Sequence, residues 1–471
     1  MPVTPAPQGA KILAQRAYGK ERRKAVPRSV HGAWVAPADR SDPVALLRAQ
    51  DADRFQDLVP IRWGRMSLSP FTFYRGAAKI MAADLKDTPR TGLAVQLCGD
   101  AHLSNFGVYA SPERQLLFDV NDFDETLPGP FEYDIERLAA SFVIAARNNG
   151  LSHDEARTAA RTCVTSYREA MAQFAEMGTL AVWYSHLRVE EFLESVRQAM
   201  PKQDRSMEKR VEKKVAKART RDSLQALGKL AELVDGEYRI VSQPPIVVPL
   251  RDVADVYGID EEEIHRRVHE RFDDYRTTLE DDRRHLLERF EMRDLARKVV
   301  GVGSVGTRAF IVLFQGRDAQ DPLFLQVKEA TASVYEDHLP RSRYQNHGQR
   351  VVLGQRLMQA ASDIFLGWTT GADSSRHFYW RQLRDMKASA EVESLTPTTF
   401  EVYAHMCGWT LARAHARSGD PIAIASYLGA SDRFDRAVTD FAERYADQNE
   451  RDYSAFLTAI RDGRLDAEEG V

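Results

Sequence analysis

The stretch that decides the fold is Gly99-Asp100-Ala101-His102-Leu103-Ser104-Asn105, a polar loop between two apolar runs. The run before it, residues 93–97, and the run after it, residues 116–120, are short and apolar, which is typical of buried strands. A second polar segment, Asn121-Asp122-Phe123-Asp124, follows the later run directly. Because two strands flank the first loop and the second loop adjoins one of them, we expect the acidic and amide side chains to meet.

These side chains fit the chemistry of magnesium and phosphate. Carboxylate and amide oxygens are the ligands that Mg²⁺ prefers. In phosphoryl transfer one aspartate orients the attacking hydroxyl, while an asparagine and a second aspartate hold the metal. We therefore expect Asp100 to act as the base or orienting carboxylate, and Asn105 and Asp122 to be metal ligands. Asp124 would share a second ion, and His102 would brace the loop without transferring protons.

The composition of the chain excludes several classes of function. The 471 residues are 43% hydrophobic and 28% charged with a net charge of -4, so the overall charge does not predict binding to nucleic acid. No apolar run reaches the roughly 18 residues of a transmembrane helix, and the start of the chain lacks the apolar core of a signal peptide. Since Cys98, Cys163 and Cys407 are widely spaced, we expect no disulfide framework, a cytoplasmic location and no membrane partner.

A glycine motif in the second half of the chain predicts a phosphate-covering loop. It reads Gly301-x-Gly303-x-x-Gly306. A Rossmann turn would open a helix and carry an acidic residue about 20 positions later. Here the apolar, β-branched run 309–314 follows, which favours a strand, and a strand–glycine loop–strand hairpin is the arrangement of kinases. The alternative is an ordinary glycine-rich hairpin.

Lys328 ends the next apolar run, residues 323–327. A lysine on a strand shortly after a glycine loop matches the residue that binds the α- and β-phosphates in kinases. Such a lysine has an acidic partner, for which Glu336 is the best candidate and Asp337 the next. Two further strands are predicted at 364–368 and 378–383, with a helix at 349–361 before them.

The order of these segments predicts an α+β protein in four parts. Residues 1–58 form a basic amino-terminal arm, and residues 59–296 form a helical lobe with both acidic loops. Residues 297–387 form a β-rich nucleotide lobe of about five strands and one helix, and residues 388–471 are helices that return to the helical lobe. The basic segment 209–229 is either a solvated helix or a binding face for an acidic partner.

The two acidic loops resemble those of aminoglycoside phosphotransferases and choline-kinase-like enzymes. In that superfamily Gly-Asp-x-His-x-x-Asn is followed by Asp-Phe-Asp or a similar sequence, as at Gly99 and Asp122 here. Asp134 resembles the later aspartate that supports the catalytic loop, and residues 411–416 resemble the helix that precedes that loop.

More closely, nearly the whole chain is similar to the bacterial family catalogued as domain of unknown function 2252. That family has no settled activity, so the resemblance predicts membership and not a substrate. The stretches that carry the resemblance are residues 73–77, 97–107, 121–130, 346–350 and 381–387.

One feature departs from ordinary kinases, in which the glycine loop and lysine come before the catalytic loop. Here the acidic loops precede the glycine loop and Lys328. The resemblance therefore implies a circularly permuted, protein-kinase-like bilobal fold, with the helical lobe first and the nucleotide lobe later. Chains tolerate permutation when the original termini lie close together at the surface. In this fold Arg384 and Met386 would lie at the hinge between the two lobes, against the adenine of the bound nucleotide.

The expected function is that of an ATP- and Mg²⁺-dependent phosphotransferase. Its phosphate acceptor, a small molecule or a protein, is not readable from the sequence. A second hypothesis is a catalytically silent, pseudokinase-like nucleotide-binding regulator, because the acidic partner of Lys328 is not clear. A third is a metallophosphoesterase, although the upstream Asp-x-His and downstream Gly-Asn-His of such two-metal sites are not found in the sequence.

Overall fold

The computed structural model of the chain describes residues 8–190, 223–252, 261–383 and 386–470. The predicted hinge residue Arg384 and residues 209–222 of the basic segment lie outside these ranges, while the end of that segment falls in a helix, Ser223–Leu230. None of the helices in the described part of the chain combines the length and the apolar character needed to cross a membrane.

The fold class is α+β, as predicted. Within the described ranges the α-helices are α1 (Gln8–Ala25), α2 (Pro43–Asp51), α3 (Val59–Ser67), α4 (Pro70–Gly76), α5 (Ala78–Leu85), α6 (Phe131–Asn148), α7 (His153–Glu176), α8 (Thr179–Tyr184), α9 (Ser223–Leu230), α10 (Glu261–Arg276), α11 (Asp281–Leu287), α12 (His347–Met358), α13 (Pro397–Ser418), α14 (Pro421–Leu428) and α15 (Arg433–Arg461).

The strands of the same ranges are short at the acidic loops and longer in the second half of the chain. They are β1 (Ala94–Leu97), β2 (Phe106–Ala110), β3 (Leu116–Val120), β4 (Leu127–Pro130), β5 (Leu187–Arg188), β6 (Ala231–Val234), β7 (Glu237–Ile240), β8 (Val247–Pro249), β9 (Glu291–Lys298), β10 (Ala309–Gln315), β11 (Pro322–Ala330), β12 (Gly367–Thr370), β13 (His377–Gln382) and β14 (Ala388–Ser389).

Helix α6 is the centre of a helical body. Its residues 131–146 are all buried, which is the pattern of a helix enclosed on every side rather than lying at a surface. Helices α7, α13 and α15 pack around it. Helices α13 and α7 approach closely, since a side chain at Gly408 would place its Cβ 2.1 Å from the carbonyl oxygen of Cys163. Only glycine permits that contact.

The amino-terminal segment is part of this body and not the separate arm that the sequence predicts. Helix α1 packs along α14, and the guanidinium of Arg23 donates to the carbonyl of Tyr427 at 2.7 Å. The imidazole of His31, also from this segment, is buried between Glu136 and the hydroxyl of Tyr427. The prediction of an arm rested on the basic character of residues 1–58. In the structure the arginines instead donate to carbonyl groups at the end of a neighbouring helix, which attaches the segment to the body.

The β-rich part is a largely antiparallel sheet with the strand order β12-β13-β11-β10-β9-β8. The glycine motif connects β9 to β10, and Lys328 stands on β11, so the predicted hairpin and lysine strand are found. In the register of β11 and β13, Lys328 lies opposite Tyr379. Directly opposite residues of an antiparallel pair project to the same face of the sheet, so both side chains point the same way.

The predicted boundary at residue 297 is too late. Strand β9 begins at Glu291. Helix α10, which lies earlier in the chain, packs on the sheet rather than on the helical body. Tyr275 of α10 stacks on Trp380 with ring centroids 4.6 Å apart, and Phe272 packs against Phe314. The segment before residue 288 is helical and rich in charged residues. Such a pattern, with few aromatic residues, does not indicate whether a helix packs on the sheet or on the helical body.

Two short ribbons carry the acidic loops. The predicted strands at residues 93–97 and 116–120 are present as β1 and β3, but they do not pair with each other. Strand β1 pairs with β4, and β2 pairs with β3. Strands β2 and β4 are absent from the sequence prediction. Strand β4 contains Pro128, Gly129 and Pro130, which are typical of turns rather than strands, and β2 contains Gly107.

The buried Glu132 gives a test of the helical body. Its carboxylate accepts hydrogen bonds from the amide and hydroxyl of Thr91 at 2.7 and 3.0 Å, and burial raises its pKa to about 7. Because the folded pKa lies above the unfolded one, the protonated form stabilises the fold at low pH, and that contribution is lost as pH rises through 7. Glu132→Gln should remove a decline of about 3 kcal/mol in the free energy of unfolding between pH 5 and 8.

Denaturant unfolding at both pH values measures this difference. The control is Glu176→Gln, because the Glu176 side chain is 72% exposed. Equal pH dependence of the wild type and Glu132→Gln would contradict the expectation.

Candidate functional site

A cavity of about 160 Å³ lies between the helical body and the glycine loop. We call it the cleft. It brings together side chains from both halves of the chain that the sequence predicts to act together. Among its lining residues are Asp100, His102, Asn105, Asp122, Asp124, Gly301 and Gly303.

Asp134 fixes the backbone at the start of the first acidic loop. Its carboxylate accepts hydrogen bonds from the amides of Cys98 and Gly99 at 2.8 and 3.0 Å. His415 of α13 lies 3.1 Å away through Nε2, and Tyr167 holds the other ring nitrogen at 2.9 Å. Because Asp134 and His415 are fully buried, these bonds are made in a medium where they are strong. The loop therefore has one fixed conformation.

Asp100 is directed into the cleft by a buried arginine. Nε of Arg137 donates to Oδ1 of Asp100 at 2.6 Å, and the Arg137 guanidinium lies over the ring of Tyr74, 4.4 Å from its centroid. Burial raises the pKa of Asp100, against the opposing charge of Arg137. A carboxylate with a raised pKa is a better proton acceptor. The second oxygen of Asp100 has Nε2 of His102 3.8 Å away, beyond hydrogen-bond distance, so it can accept from another partner.

His102 and Asn105 hold the loop mainly through their backbones. The amide of His102 donates to the carbonyl of Asp100, and the amide of Asn105 donates to the carbonyl of His102. The Asn105 side-chain amide also donates to the carbonyl of Asp100 at 2.8 Å, so its oxygen is available as an acceptor or ligand. Burial lowers the pKa of His102, and the charges of Arg75 and Arg137 lower it further, so His102 is a neutral imidazole.

The second acidic loop meets Lys328. Nζ of Lys328 donates to Oδ2 of Asp124 at 2.6 Å, and the hydroxyl of Tyr379 donates to Oδ1 at 2.6 Å. Burial alone would raise the pKa of Asp124, but Lys328 and Tyr379 together lower it. Burial raises the pKa of the neighbouring Asp122, and the charge of Asp124 raises it further. The pair thus consists of one carboxylate that is bonded directly to Lys328 and one whose charge Lys328 and Arg381 offset without a direct hydrogen bond from either cation among the described residues.

The glycine loop rests on the helical body. The carbonyl of Gly306 accepts from the amide of Phe55 at 2.7 Å, and the carbonyl of Gly301 accepts from Arg65 at 2.6 Å. Ser304, within the loop, lies 3.5 Å from Oδ2 of Asp124. Gly301 and Gly303 line the cleft, whereas Gly306, in a left-handed conformation with φ of 83°, forms the turn that leads into β10.

The predicted acidic partner of Lys328 is wrong. Glu336 lies in a short 3-10 helix, where its side chain caps Ser333, and the structure does not bring it to Lys328. Asp337, the next candidate, pairs with Lys79 at 3.2 Å. Asp124, which the sequence analysis assigned to the metal, is the partner instead. A helix-borne glutamate was expected by analogy, and the spacing along the chain could not reveal a carboxylate about 200 residues earlier.

Of the two predicted hinge residues, the structure describes only Met386. This residue has a φ of 52° and packs against the main core of the helical body. It is not part of the cleft lining. The segment around it does join β13 of the large sheet to β14, which pairs with β2, so it is a direct connection between the two halves.

Two cleft arginines were not singled out by the sequence analysis. Arg54 binds Asp51 at 2.7 Å and the carbonyl of Val305, so it supports the glycine loop. Arg75 also lines the cleft, and its buried Nε has no hydrogen-bond partner among the described residues. Burial lowers the pKa of Arg75. A buried cation without full compensation is costly, and an anion in the cleft would relieve that cost.

The cleft fits a magnesium ion only together with a phosphate ligand. No three histidine, cysteine or acidic side chains of the described ranges gather into a metal cluster. However, Asn105 and Asp122 face the same cavity, and Mg²⁺ in proteins is often held by one or two such groups plus phosphate oxygens and water. Burial raises the pKa of Asp122, with a smaller contribution from the charge of Asp124, and a divalent cation beside Asp122 would favour its charged form.

The role of Asp134 can be tested through stability. Asp134→Asn removes the negative charge that two backbone amides and His415 share, and places a donor where an acceptor is needed. We expect the free energy of unfolding to fall by about 3 kcal/mol, measured by urea unfolding. The matched change Asp154→Asn alters a side chain that is 98% exposed and should change stability by less than about 0.5 kcal/mol. Equal effects of the two substitutions would refute the role.

Comparison with known proteins identifies the family but no activity. The matching family model is described as an uncharacterized protein conserved in bacteria (DUF2252), and it covers residues 54–459. No curated protein matched the chain, and no solved structure did. The matched range contains both acidic loops, the glycine loop and Lys328. The chain therefore belongs to this bacterial family, DUF2252.

Proposed function

We propose that the protein is an ATP- and Mg²⁺-dependent phosphotransferase of the protein-kinase-like type. The observation that carries the proposal is the bond between Lys328 and Asp124. It brings the glycine hairpin and its lysine strand to the cleft that contains Asp100. In protein kinases a strand lysine, a glycine loop, a catalytic aspartate and metal-binding Asn and Asp residues meet on one nucleotide.

The β-rich part supports the nucleotide side of this proposal. Counting from β9, the glycine loop joins the first strand to the second, and Lys328 stands on the third. Helix α12 then follows, and two more strands, β12 and β13, precede the crossing to the helical body. That is the order of glycine loop, strand lysine and helix in kinases. The backbone of the glycine loop and Lys328 would hold the phosphates.

The acidic loops support the transfer chemistry. Asp100 would accept a hydrogen bond from the acceptor hydroxyl and take its proton, since Arg137 occupies only one carboxylate oxygen. Asn105 and Asp122 would hold Mg²⁺, which neutralises charge on the phosphates. Asp124 would remain with Lys328 or share a second ion. Arg75 would place its guanidinium against the transferring phosphoryl group or an anionic acceptor.

The order of the parts implies a circular permutation of the kinase fold. Asp100, Asp122 and Asp134 precede the glycine loop in the chain, and α13 follows the sheet. His415 of α13 nevertheless returns to Asp134 at 3.1 Å, so the helix after the sheet supports the loop before it. This contact supports the proposed permutation, because it joins elements from the two halves of the chain.

A second candidate is a nucleotide-binding regulator without catalysis. It is favoured by one observation: the cation of Lys328 is bound by Asp124 and not by a helix-borne glutamate. Helix α12 presents Arg350 at this place, which donates to the carbonyls of Asp124 and Thr126 at 2.8 and 2.6 Å. Active kinases need the lysine–glutamate pair in place. Nucleotide binding without turnover would support this candidate.

Nucleotide binding is tested with Lys328→Met. ATP with MgCl₂ should raise the melting temperature of the wild type, and the shift should be lost in Lys328→Met because the phosphates lose their cation. ATP with EDTA should give a smaller shift in the wild type. Lys86→Met, at a side chain that is 45% exposed, is the control and should keep the full shift. A wild type without a shift, or an unchanged shift in Lys328→Met, would refute nucleotide binding at this site.

Catalysis is tested separately with Asp100→Asn. This variant should keep the melting-temperature shift with ATP and MgCl₂ but lose phosphate transfer by at least about 100-fold, since it removes the proton acceptor. Transfer from radiolabelled ATP to a panel of alcohols, amines and the protein itself is the measurement. Wild-type binding without transfer to any member of the panel would favour the silent regulator. Transfer that Asp100→Asn leaves unchanged would exclude the assigned role.

A further inference from the structure

A second and larger cavity, of about 640 Å³, lies on the ribbon of β1 and β4. We call it the ribbon groove. Its remaining walls are helix α12 and residues 339–344, and none of its lining residues lines the cleft. Small-molecule sites typically enclose about 300–1,000 Å³ and have apolar walls with a few polar groups. The ribbon groove falls in this range, and the proposed function does not use it.

The floor of the ribbon groove is apolar. Leu353 and Leu357 lie four residues apart on α12, so they share one face of the helix, and both line the groove with Leu339 and Pro128. Both leucines are only half-buried. Their exposed apolar surface faces the cavity, where a ligand with an apolar body would remove it from water.

The rim of the ribbon groove is cationic. Arg90, Arg341 and Arg343 line it, and no aspartate or glutamate stands among the lining residues of the described chain. Neither Arg341 nor Arg343 makes an ion pair with any described residue, and Arg343 contacts the hydroxyl and the ring of Tyr344. The guanidinium groups of the rim are therefore not neutralised by local carboxylates. Arginine binds carboxylate and phosphate groups in a two-pronged geometry.

We propose that the ribbon groove binds a small organic anion, a carboxylate or phosphate on an apolar body. The anionic group would lie between Arg341 and Arg343, and the apolar body would cover Leu353 and Leu357. This charge distribution contrasts with the cleft, whose lining includes Asp53, Asp100 and other carboxylates. Phosphates in the cleft would therefore need a metal cation beside these carboxylates, whereas the ribbon groove would bind an anion directly, and binding there does not depend on the phosphotransferase proposal.

The test compares four probes that share an eight-carbon chain: octanoate, octyl phosphate, 1-octanol and octyltrimethylammonium. Isothermal titration calorimetry on the full chain measures their dissociation constants. At least one of the two anions should bind at least tenfold more tightly than the alcohol and the cation. Failure of both anions to bind at millimolar concentration, or equal binding of the cation, would overturn the proposal.

Two variants separate the rim from the floor. The double change Arg341→Gln and Arg343→Gln should weaken binding of the anion at least tenfold, and Leu357→Asn should weaken it while leaving the melting temperature within a few degrees of the wild type. The control is Arg436→Gln with Arg464→Gln, at side chains that are 55% and 53% exposed, which should bind as the wild type does. Unchanged binding in the rim variant would place the anion elsewhere.

A final arm distinguishes a free molecule from a lipid surface. Sedimentation with phosphatidylglycerol vesicles should give no more bound protein than sedimentation with phosphatidylcholine vesicles. Binding to the anionic vesicles that the rim variant abolishes would overturn the assignment to a free small molecule, and would assign the arginines to a membrane surface.

Discussion

One ion pair, between the buried Lys328 and the half-buried Asp124, joins the two halves of the structure. The two residues lie 204 positions apart, on the large sheet and on a loop of the helical body, and Lys328 is only 3% exposed. A buried charge pair is tolerated only when its geometry is good and its other hydrogen-bonding sites are filled. Tyr379 fills the second oxygen of Asp124 because the register of β11 and β13 places it opposite Lys328. The pair therefore determines how the sheet meets the acidic loops.

The other side of the cleft is fixed in the same way, by charges that are buried with their partners. Asp134 holds the backbone at Gly99, and Arg137 holds the carboxylate of Asp100. Both come from α6, one turn apart, so a single enclosed helix positions both the loop and its reactive group. Because α6 is surrounded on all sides, the position of Asp100 is set by the core of the helical body and not by the flexible surface.

Local features, such as single strands, were more predictable from the sequence than the contacts between residues far apart in the chain. Strand β3 was predicted with its observed bounds because it is a continuous apolar run, and the lysine strand was predicted because it follows a glycine hairpin. The partner of Lys328 was not predictable, because it depends on how two distant segments pack. The amino-terminal helix was mistaken for an arm for a related reason: Arg23 and His31 are polar in sequence but find carbonyl and carboxylate partners only in the folded chain.

Helix α12 connects the two cavities physically. Leu353 and Leu357 line the ribbon groove, and Arg350, one turn earlier on the same face of the helix, lines it as well. The guanidinium of Arg350 donates to the carbonyls of Asp124, Thr126 and Thr331, which places a buried cation beside the loop that carries the acidic pair. A shift of α12 along the ribbon would leave these hydrogen-bonding groups unpaired in the interior, at a cost of about 1–3 kcal/mol for each. These hydrogen bonds couple the helix to the acidic loop, so a ligand in the ribbon groove would contact a helix that is bonded directly to the lining of the cleft.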